Sequence, residues 1–221
     1  MEVKVMKNVL AMNDEAAAEN AELFQRDRVF VLNLMGSPGA GKTTLLERTL
    51  QALKDEMRIA VIEGDLFTSK DAERIDRLGV PVVQINTSGG CHLDAPMVKS
   101  ALSSIDLAAL DMLVIENVGN LVCPAEFELG QDKKAVVLSI TEGDDKPLKY
   151  PLMFKEADAA LLNKVDLLPY TDFDMARAAD DIRTIHPGIE VMAIACRTGD
   201  GIEAWLSWLR RNVREKKEAA R

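Results

Sequence analysis

The chain carries, at positions 36 to 43, the stretch Gly36-Ser37-Pro38-Gly39-Ala40-Gly41-Lys42-Thr43. It follows an apolar run, 29–35, and leads into a helix-forming segment, so the order is strand, glycine-rich loop, helix. Glycines let such a loop curl its backbone N–H groups around phosphate oxygens, and the helix N-terminus adds a positive dipole. The stretch therefore predicts a phosphate-binding loop at the carboxyl end of a buried strand.

The side chains of this loop have separate predicted tasks. Lys42 would reach the β and γ phosphates of a nucleotide, and the Thr43 hydroxyl would ligate magnesium. The nucleotide-binding residues predicted from this region are Gly36, Ser37, Gly39, Ala40, Gly41, Lys42, Thr43 and Thr44.

Apolar runs rich in Val, Ile and Leu recur along the chain and alternate with helix-forming segments. The runs are 29–35, 59–62, 80–85, 112–115, 135–140, 159–162 and 191–195, and the predicted helices are 42–56, 69–78, 94–107, 148–155, 171–185 and 201–217. Continuous apolar strands are typical of a sheet covered on both faces. We predict an α/β fold with a doubly wound, mostly parallel seven-stranded sheet and helices on both faces, the P-loop NTPase architecture.

Composition excludes several classes of protein. The formal net charge of −9 over 221 residues argues against a nucleic-acid binder, which needs clustered Lys and Arg to neutralise phosphates. No apolar run approaches the roughly 20 residues of a membrane span, and residues 1–10 lack a signal-peptide core. Three scattered cysteines describe no disulfide framework. We expect a cytoplasmic protein with reduced thiols that binds neither membrane nor nucleic acid.

A second motif separates guanine from adenine nucleotides. Asn163-Lys164-Val165-Asp166 follows the run 159–162, about 120 residues after the loop. The Asp166 carboxylate can accept hydrogen bonds from the guanine N1–H and exocyclic amine, for which adenine has no matching donors. Asn163 and Lys164 would tie this segment to the phosphate loop and flank the base. Cys196 and Arg197, in a loop that resembles the S-A-K element of GTPases, would contact the base mainly through their backbone, with Cys196 as a small filler.

These motifs predict a P-loop GTPase domain at 28–221. Residues 12–25 form a further amphipathic segment, with Met12, Ala16, Ala17, Leu23 and Phe24 as its apolar face. We interpret 1–27 as an N-terminal helical segment that packs on the domain.

Acidic residues at two other strand ends are candidates for the switches that sense phosphate. Glu116 and Gly119 stand where GTPases carry D-x-x-G, so Glu116 could hold magnesium and the Gly119 N–H could sense the γ-phosphate. Asp65 and Asp71 form a second acidic pair after the run 59–62. A surface position or a helix N-cap is the alternative for each carboxylate. The predicted catalytic residues are Lys42, Asp65 and Gly119.

Cys91, His92 and Cys123 supply the thiolate and imidazole ligands preferred by Zn²⁺ and Ni²⁺. Neighbouring residues of a strand point to opposite faces, so Cys91 and His92 could bind one ion only in a turn, which Gly89-Gly90 permits. Judged from the residues alone, buried cysteines and a surface histidine are the alternative. His186, before a proline, is predicted to be a surface or capping residue.

Taken in order, these motifs resemble those of the HypB family, the nickel-insertion GTPases of nickel-iron hydrogenase maturation. The resemblance runs from about Asn20 to Leu209 and rests on the phosphate loop and on 63–65, 89–92, 116–124 and 163–166. It implies membership of the signal-recognition and MinD class, whose members often act as nucleotide-dependent homodimers.

The resemblance also implies a set of ligands and partners. Magnesium would be held by Thr43 with Asp71 and Glu116, and nickel or zinc by Cys91, His92 and Cys123. The implied partners are a HypA-type nickel chaperone and the hydrogenase large-subunit precursor. The cofactors would be GTP, Mg²⁺, and Ni²⁺ or Zn²⁺.

The sequence departs from related patterns at three points. Ser37 stands where MinD-type members carry a lysine, so no such lysine crosses a dimer interface here. The N-terminus has neither a cysteine motif nor a histidine-rich tract, so no separate nickel site is expected there. Asn120 replaces the water-orienting Gln of Ras-like enzymes, which predicts slow intrinsic turnover.

Two other functions stay open at this point. One is a urease-type nickel GTPase, although that relative has Cys-Pro-His where this chain has Cys91-His92 without the proline. The other is a metal store or sensor that binds GTP as a structural ligand and does not hydrolyse it.

Overall fold

All seven apolar runs form strands of a single sheet in the computed structural model, which describes residues 9–66 and 69–219. Residues 1–8 of the predicted N-terminal segment lie outside the described residues. The strands are β1 Phe30–Gly36, β2 Ile59–Asp65, β3 Val82–Asn86, β4 Met112–Glu116, β5 Lys133–Ser139, β6 Ala159–Asn163 and β7 Glu190–Ala193.

The strand order is β3-β2-β4-β1-β5-β6-β7, and neighbouring strands pair in parallel. Phe30 lies opposite Met112, for example, and Glu63 lies opposite Glu116. The carboxyl ends of all strands therefore meet at one edge, where ligands bind in open α/β sheets. The prediction of a doubly wound, parallel seven-stranded sheet is confirmed.

Nine α-helices occur among the described residues. They are α1 Val9–Asp27, α2 Lys42–Leu53, α3 Lys70–Asp76, α4 Ala95–Leu102, α5 Cys123–Glu126, α6 Lys146–Lys149, α7 Pro151–Lys155, α8 Met175–Ile185 and α9 Ile202–Glu218. Within this described part, no helix is long and apolar enough to cross a membrane.

Alternating strand residues pack on opposite faces of the sheet. Leu32 contributes to a core that contains residues of α2 and α9, including Trp205. Its neighbour Val31 faces the other way, into a core with Phe24 of α1 and residues of α4. A third core, around Phe154, joins β5 and β6 to α7 and α8. Helices thus cover both faces, which explains why the strands read as continuous apolar runs.

Three predicted helices differ clearly in the structure, whereas the ends of the other three differ by at most three residues. The helix expected at 94–107 ends at Leu102. The helix expected at 148–155 is divided into α6 and α7 at Tyr150, because a proline at 151 disfavours the helical conformation of the residue before it. The helix expected at 171–185 begins at Met175, where the Asp174 side chain accepts a hydrogen bond from a backbone N–H and caps it.

Helix α1 packs against α4, and most of its predicted apolar face, including Ala17, is turned inward. Phe24 is buried as expected, whereas Met12 is 54% exposed, so its placement on the apolar face was wrong. Asn20 is fully buried instead, and its side-chain amide donates to the carbonyl oxygens of Ala95 and Leu129 at 3.0 and 3.1 Å. These two bonds satisfy the Asn20 amide nitrogen in the core, and an apolar pattern cannot reveal them.

Candidate functional site

A cavity of about 460 Å³ opens at the carboxyl edge of the sheet. It brings together, from the predicted site, Gly39, Gly41, Lys42, Thr43, Thr44, Asp65, Asp71, Glu116, Gly119 and Lys164. Gly36, Ser37, Ala40, Asn163, Asp166, Cys196 and Arg197 do not line it, although several of them contact residues that do.

The phosphate loop has the conformation that its glycines permit. Gly36 has φ 145°, and an added Cβ would lie 2.3 Å from the carbonyl oxygen of Val137 on β5. The loop thus passes too close to the neighbouring strand for any larger residue. Lys42 is 7% exposed, and its Nζ donates to the carbonyl oxygens of Gly36 and Ser37 at 3.2 and 3.3 Å. Burial lowers the pKa of Lys42, while nearby carboxylates act against that shift.

Two buried carboxyl groups lie beneath the loop. The Thr43 hydroxyl donates to Glu116 Oε1 at 2.8 Å, and Glu63 is opposite Glu116 on the adjacent strand. Both glutamates are 3% exposed, and within the described residues the Oε2 atom of each has no hydrogen-bond partner. Burial is the main cause that raises the pKa of Glu116 to about 7 and that of Glu63 to about 8. Such a cluster fits a divalent cation, whose charge would offset the cost of two buried carboxylates.

The candidate carboxylates of the first switch lie on the same side of the cavity. Asp65 ends β2, and Asp71 lies in the first turn of α3, where Ser69 is the N-cap residue. Arg74 Nη1 donates to Asp71 Oδ1 at 2.9 Å, and Arg74 Nε donates to Glu47 Oε1 at 2.9 Å. Arg74 therefore connects α3 to the helix that follows the phosphate loop.

The segment after β4 is in close contact with the phosphate loop. A Cβ on Gly119 would lie 2.9 Å from the Cα and N atoms of Pro38, so only glycine fits there without displacement of the loop. The Asn120 N–H donates to the carbonyl oxygen of Gly36 at 3.0 Å. A movement of the segment after β4 must therefore displace the phosphate loop, and the reverse also holds.

The residues predicted to recognise the base connect to the phosphate loop as expected. Asn163 Nδ2 donates to the carbonyl oxygen of Ala40 at 2.9 Å, and Lys164 Nζ donates to that of Gly39 at 2.7 Å. Asp166 Oδ2 lies 3.9 Å from Arg197 Nε. The motif thus joins the phosphate loop at one end and the loop at 195–201 at the other.

The loop at 195–201 is held mainly through its backbone. The Cys196 N–H donates a hydrogen bond to Asn163 Oδ1 at 3.4 Å. The Arg48 guanidinium donates to the carbonyl oxygens of Cys196 and Arg197 at 2.9 and 3.2 Å. Cys196 is buried, which raises the pKa of its thiol to about 11. A thiol that stays protonated is a poor metal ligand, which agrees with a role as a filler.

Cys91, His92 and Cys123 meet in a second cluster beside this cavity. Their ligand atoms lie within 4.8 Å of one another, with 3.0 Å between the two Sγ atoms and 3.6 Å from Cys91 Sγ to His92 Nδ1. The imidazole stacks on Phe127, with 3.9 Å between ring centroids. The predicted turn before Cys91 is present, with Gly89 at φ 97°. Two thiols and an imidazole at these distances are a donor set for a thiophilic divalent metal.

Sequence reasoning did not assign four residues that the structure brings into or beside the site: Glu63, Arg74, Asn117 and Arg48. A glutamate at the end of an otherwise apolar strand was the available signal for Glu63. For Arg74, the available signal was its i, i+3 spacing from Asp71 on a predicted helix. Asn117 lies within the motif 116–124 but had no assigned role, and Arg48 left no recognisable sequence signal.

Comparisons with known proteins agree with this geometry. Residues 30–193 match the family model "CobW/HypB/UreG, nucleotide-binding domain". The chain is 52% identical over 209 residues to "Hydrogenase maturation factor HypB" of Azotobacter vinelandii, covering 95% of this chain and 69% of that protein.

Two solved structures resemble the whole fold. The crystal structure of HypB from Helicobacter pylori in complex with nickel superposes with a TM-score of 0.88, is 39% identical, and covers 92% of this chain and 96% of that one. HypB from Archaeoglobus fulgidus gives a TM-score of 0.87 at 37% identity, covering 92% and 100%. The chain belongs to the HypB family of hydrogenase maturation factors, within the CobW/HypB/UreG group of nucleotide-binding domains.

Proposed function

We propose that the chain is a GTP-hydrolysing metallochaperone that couples its nucleotide state to nickel delivery during nickel-iron hydrogenase maturation. The observation that carries this proposal is the short chain connection between two sites. Glu116 lies in the nucleotide cavity, and only seven residues later Cys123 lies in the Cys91-His92-Cys123 cluster. The nickel complex of the Helicobacter pylori relative and the family of the chain support nickel as the cargo.

For hydrolysis, we assign charge neutralisation to Lys42, whose ammonium group is buried at the loop. The Gly119 N–H would bind the γ-phosphate, and Asp65, which lines the cavity, would accept a hydrogen bond from the attacking water. Thr43, Asp71 and Glu116 would hold Mg²⁺, which supplies electrostatic stabilisation of the transferred phosphoryl group. The Asn120 side chain accepts a hydrogen bond from the Val122 N–H, so it would not orient water as a Ras-type Gln does, and turnover would be slow.

Guanine selectivity is assigned to Asp166, with Asn163 and Lys164 as the residues that hold the motif against the phosphate loop. The backbone of Cys196 and Arg197 would close over the base. Because Arg197 is 3.9 Å from the Asp166 carboxylate, that guanidinium would have to give way to the guanine donors.

Nickel is proposed as a substrate that is loaded and released. Three protein ligands leave a coordination position open, either for a recipient protein or for a second copy of the chain. Zn²⁺ would compete for the same donors. We infer a GTP-dependent homodimer in the cytoplasm, with a HypA-type nickel chaperone and the hydrogenase large-subunit precursor as partners.

The proposal is tested by phosphate release from GTP and ATP, with and without nickel, together with nickel binding followed by calorimetry. We expect slow release from GTP, little from ATP, and binding of nickel. Lys42→Ala and Thr43→Ala should each abolish release while circular dichroism stays native, because both remove phosphate or magnesium contacts and little core packing. Release at the parent rate from either variant would contradict the assignment, and release from ATP at the GTP rate would contradict guanine selectivity.

A further inference from the structure

Asn117 lies between the nucleotide cavity and the cysteine-histidine cluster. It directly follows Glu116, lines the cavity, and is 1% exposed. Its Oδ1 accepts the backbone N–H of Leu93 at 3.0 Å, and Leu93 directly follows Cys91 and His92. One side chain therefore contacts the strand end that carries Glu116 and the loop that carries two of the three metal ligands.

Leu93 is itself held from two sides. It is fully buried, and its side chain lies so close to Gly64 that an added Cβ there would be 2.7 Å from Leu93 Cγ. Gly64 stands between Glu63 and Asp65 on β2. The backbone of Leu93 thus bonds to the end of β4, while its side chain packs against the end of β2.

The other end of this loop is fixed at the same sheet edge. The Thr87 N–H donates to the carbonyl oxygen of Asp65 at 2.9 Å, and Thr87 Oγ1 donates to the Gly90 carbonyl oxygen at 2.7 Å. Cys91 and His92 therefore belong to a short loop anchored at Thr87 and at Leu93. A change in the relative position of β2 and β4 must alter the distance or direction between these anchors.

The remaining contacts of Asn117 fix its orientation. Its Nδ2 donates to Asn33 Oδ1 on β1 at 3.2 Å, and its Oδ1 also accepts the Val118 N–H at 3.0 Å. Asn33 is fully buried and lies three residues before the phosphate loop. Two backbone N–H groups, of Leu93 and Val118, therefore hold the Asn117 oxygen, and the bond to Asn33 is an additional contact on the other side of the amide in a tightly packed interior.

We propose that Asn117 is a positioning residue that transmits the nucleotide state of the cavity to the Cys91-His92 arm of the metal site through its hydrogen bond to Leu93. This inference rests on the proposed function and adds a specific route for its regulation. It is separate from the covalent route along 116–123, which reaches only Cys123. A contiguous contact establishes a route only when coupling through it is measured.

The experiment uses the full chain and NiCl₂ as the probe. Nickel affinity is measured with bound GDP and Mg²⁺, and again with a non-hydrolysable GTP analogue and Mg²⁺, for the parent, Asn117→Ala and Asn33→Ala. Asn33→Ala is the control, because it removes the partner of Asn117 Nδ2 and leaves the hydrogen bond from the Leu93 N–H to Asn117 Oδ1 intact. We expect the two nickel affinities of the parent to differ at least fivefold, within the usual range of coupling. Asn33→Ala should keep that ratio within twofold, and Asn117→Ala should lower it at least threefold.

A ratio in Asn117→Ala equal to that of the parent would overturn the inference and leave the proposed function standing. A parent ratio of one would overturn both the inference and the coupling that the proposed function states. Failure of the proposed function is thus visible in the parent alone, as a ratio of one or as absent hydrolysis or nickel binding.

Should Asn117→Ala not fold, the parent supplies a second measurement. The amide resonance of Leu93 should shift between the two nucleotide states by more than that of Ile182, which is buried in α8 and belongs to neither site. A Leu93 resonance that does not move would equally overturn the inference.

Discussion

Cys91 Sγ and Cys123 Sγ lie 3.0 Å apart, although 32 residues separate them in the chain. The two thiols come from different elements, the loop after β3 and the first turn of α5. The hydrogen bond between them is the main cause that raises the pKa of Cys123, and partial burial is the second cause. A metal binds the thiolate and must displace the proton that this raised pKa retains on Cys123, so metal binding should release a proton.

We predict that Cys91→Ala and Cys123→Ala each weaken nickel binding at least tenfold, because each removes one of three ligands. Cys196→Ala is the matched control, since Cys196 is buried and does not belong to the cluster. Isothermal titration with NiCl₂ in two buffers of different ionisation enthalpy measures affinity and proton release together. Parent affinity in either cluster variant, or an equal loss in Cys196→Ala, would remove the cluster from the nickel site.

We predict that Asp166→Asn weakens GTP binding at least tenfold. The substitution exchanges a carboxylate acceptor for an amide, and an unpaired contact to a charged group costs roughly 1.5 to 3 kcal/mol. XTP should bind better, because its base presents an acceptor where guanine has its amine. Fluorescence titration with labelled GDP, GTP and XTP gives the affinities. GTP affinity equal to that of the parent would show that Asp166 does not recognise the base.

Most of the fold was predictable because strands buried on both faces leave a direct trace in the sequence. Residues 29–35 and 135–140, for example, read as apolar runs, and the structure has β1 and β5 there. The break at Tyr150 was also within reach, since Pro151 stood in the predicted helix. Asn20 was out of reach, because a buried amide with carbonyl partners looks like a surface residue in an apolar pattern.

The site was predictable where a motif is local and only partly where it depends on strand order. The phosphate loop carries its residues consecutively, so its spacing alone was informative. Glu63 and Glu116 are neighbours because β2 pairs with β4 rather than with β1. No spacing rule gives that order, and the pairing of two carboxyl groups therefore emerged only from the topology.

We predict that the nucleotide-free and magnesium-free chain loses stability as the pH rises from 5 to 8. The folded-state pKa values of about 7 for Glu116 and about 8 for Glu63 lie above the ordinary value of 4.5. The native state therefore holds more protons than the unfolded state in this window. The free energy of unfolding then falls by about 1.4 kcal/mol per pH unit for each excess proton.

Urea unfolding at several pH values measures this dependence, and Glu63→Gln isolates it. The variant should have a shallower slope and be more stable than the parent at pH 8, because the amide cannot ionise. The difference between the two chains also cancels the opposing titration of His92, whose pKa is lowered by burial. Glu22→Gln, at an exposed position of α1, should keep the parent slope. A parent profile that is flat or rises between pH 5 and 8 would contradict the prediction.

The last prediction concerns Cys123, which is connected to the phosphate loop by its own segment. Gly119 packs on Pro38, the Asn120 N–H bonds to Gly36, and Asn120 Nδ2 lies 3.7 Å from Cys123 Sγ. If a nucleotide with a γ-phosphate fixes Gly119, Cys123 must shift relative to Cys91, and a displacement well below one ångström changes coordination.

Thermodynamic linkage then requires nickel to change the preference for GTP over GDP by the same factor, typically about 5- to 150-fold. The affinities of GDP and of a non-hydrolysable GTP analogue, each measured with and without saturating nickel, give that factor directly. We expect it to equal the ratio of nickel affinities in the two nucleotide states and to be lower in Cys123→Ala, where only the Cys91-His92 arm remains. Nucleotide affinities that do not change with nickel would refute the coupling, and an unchanged factor in Cys123→Ala would assign the coupling to the Cys91-His92 arm alone.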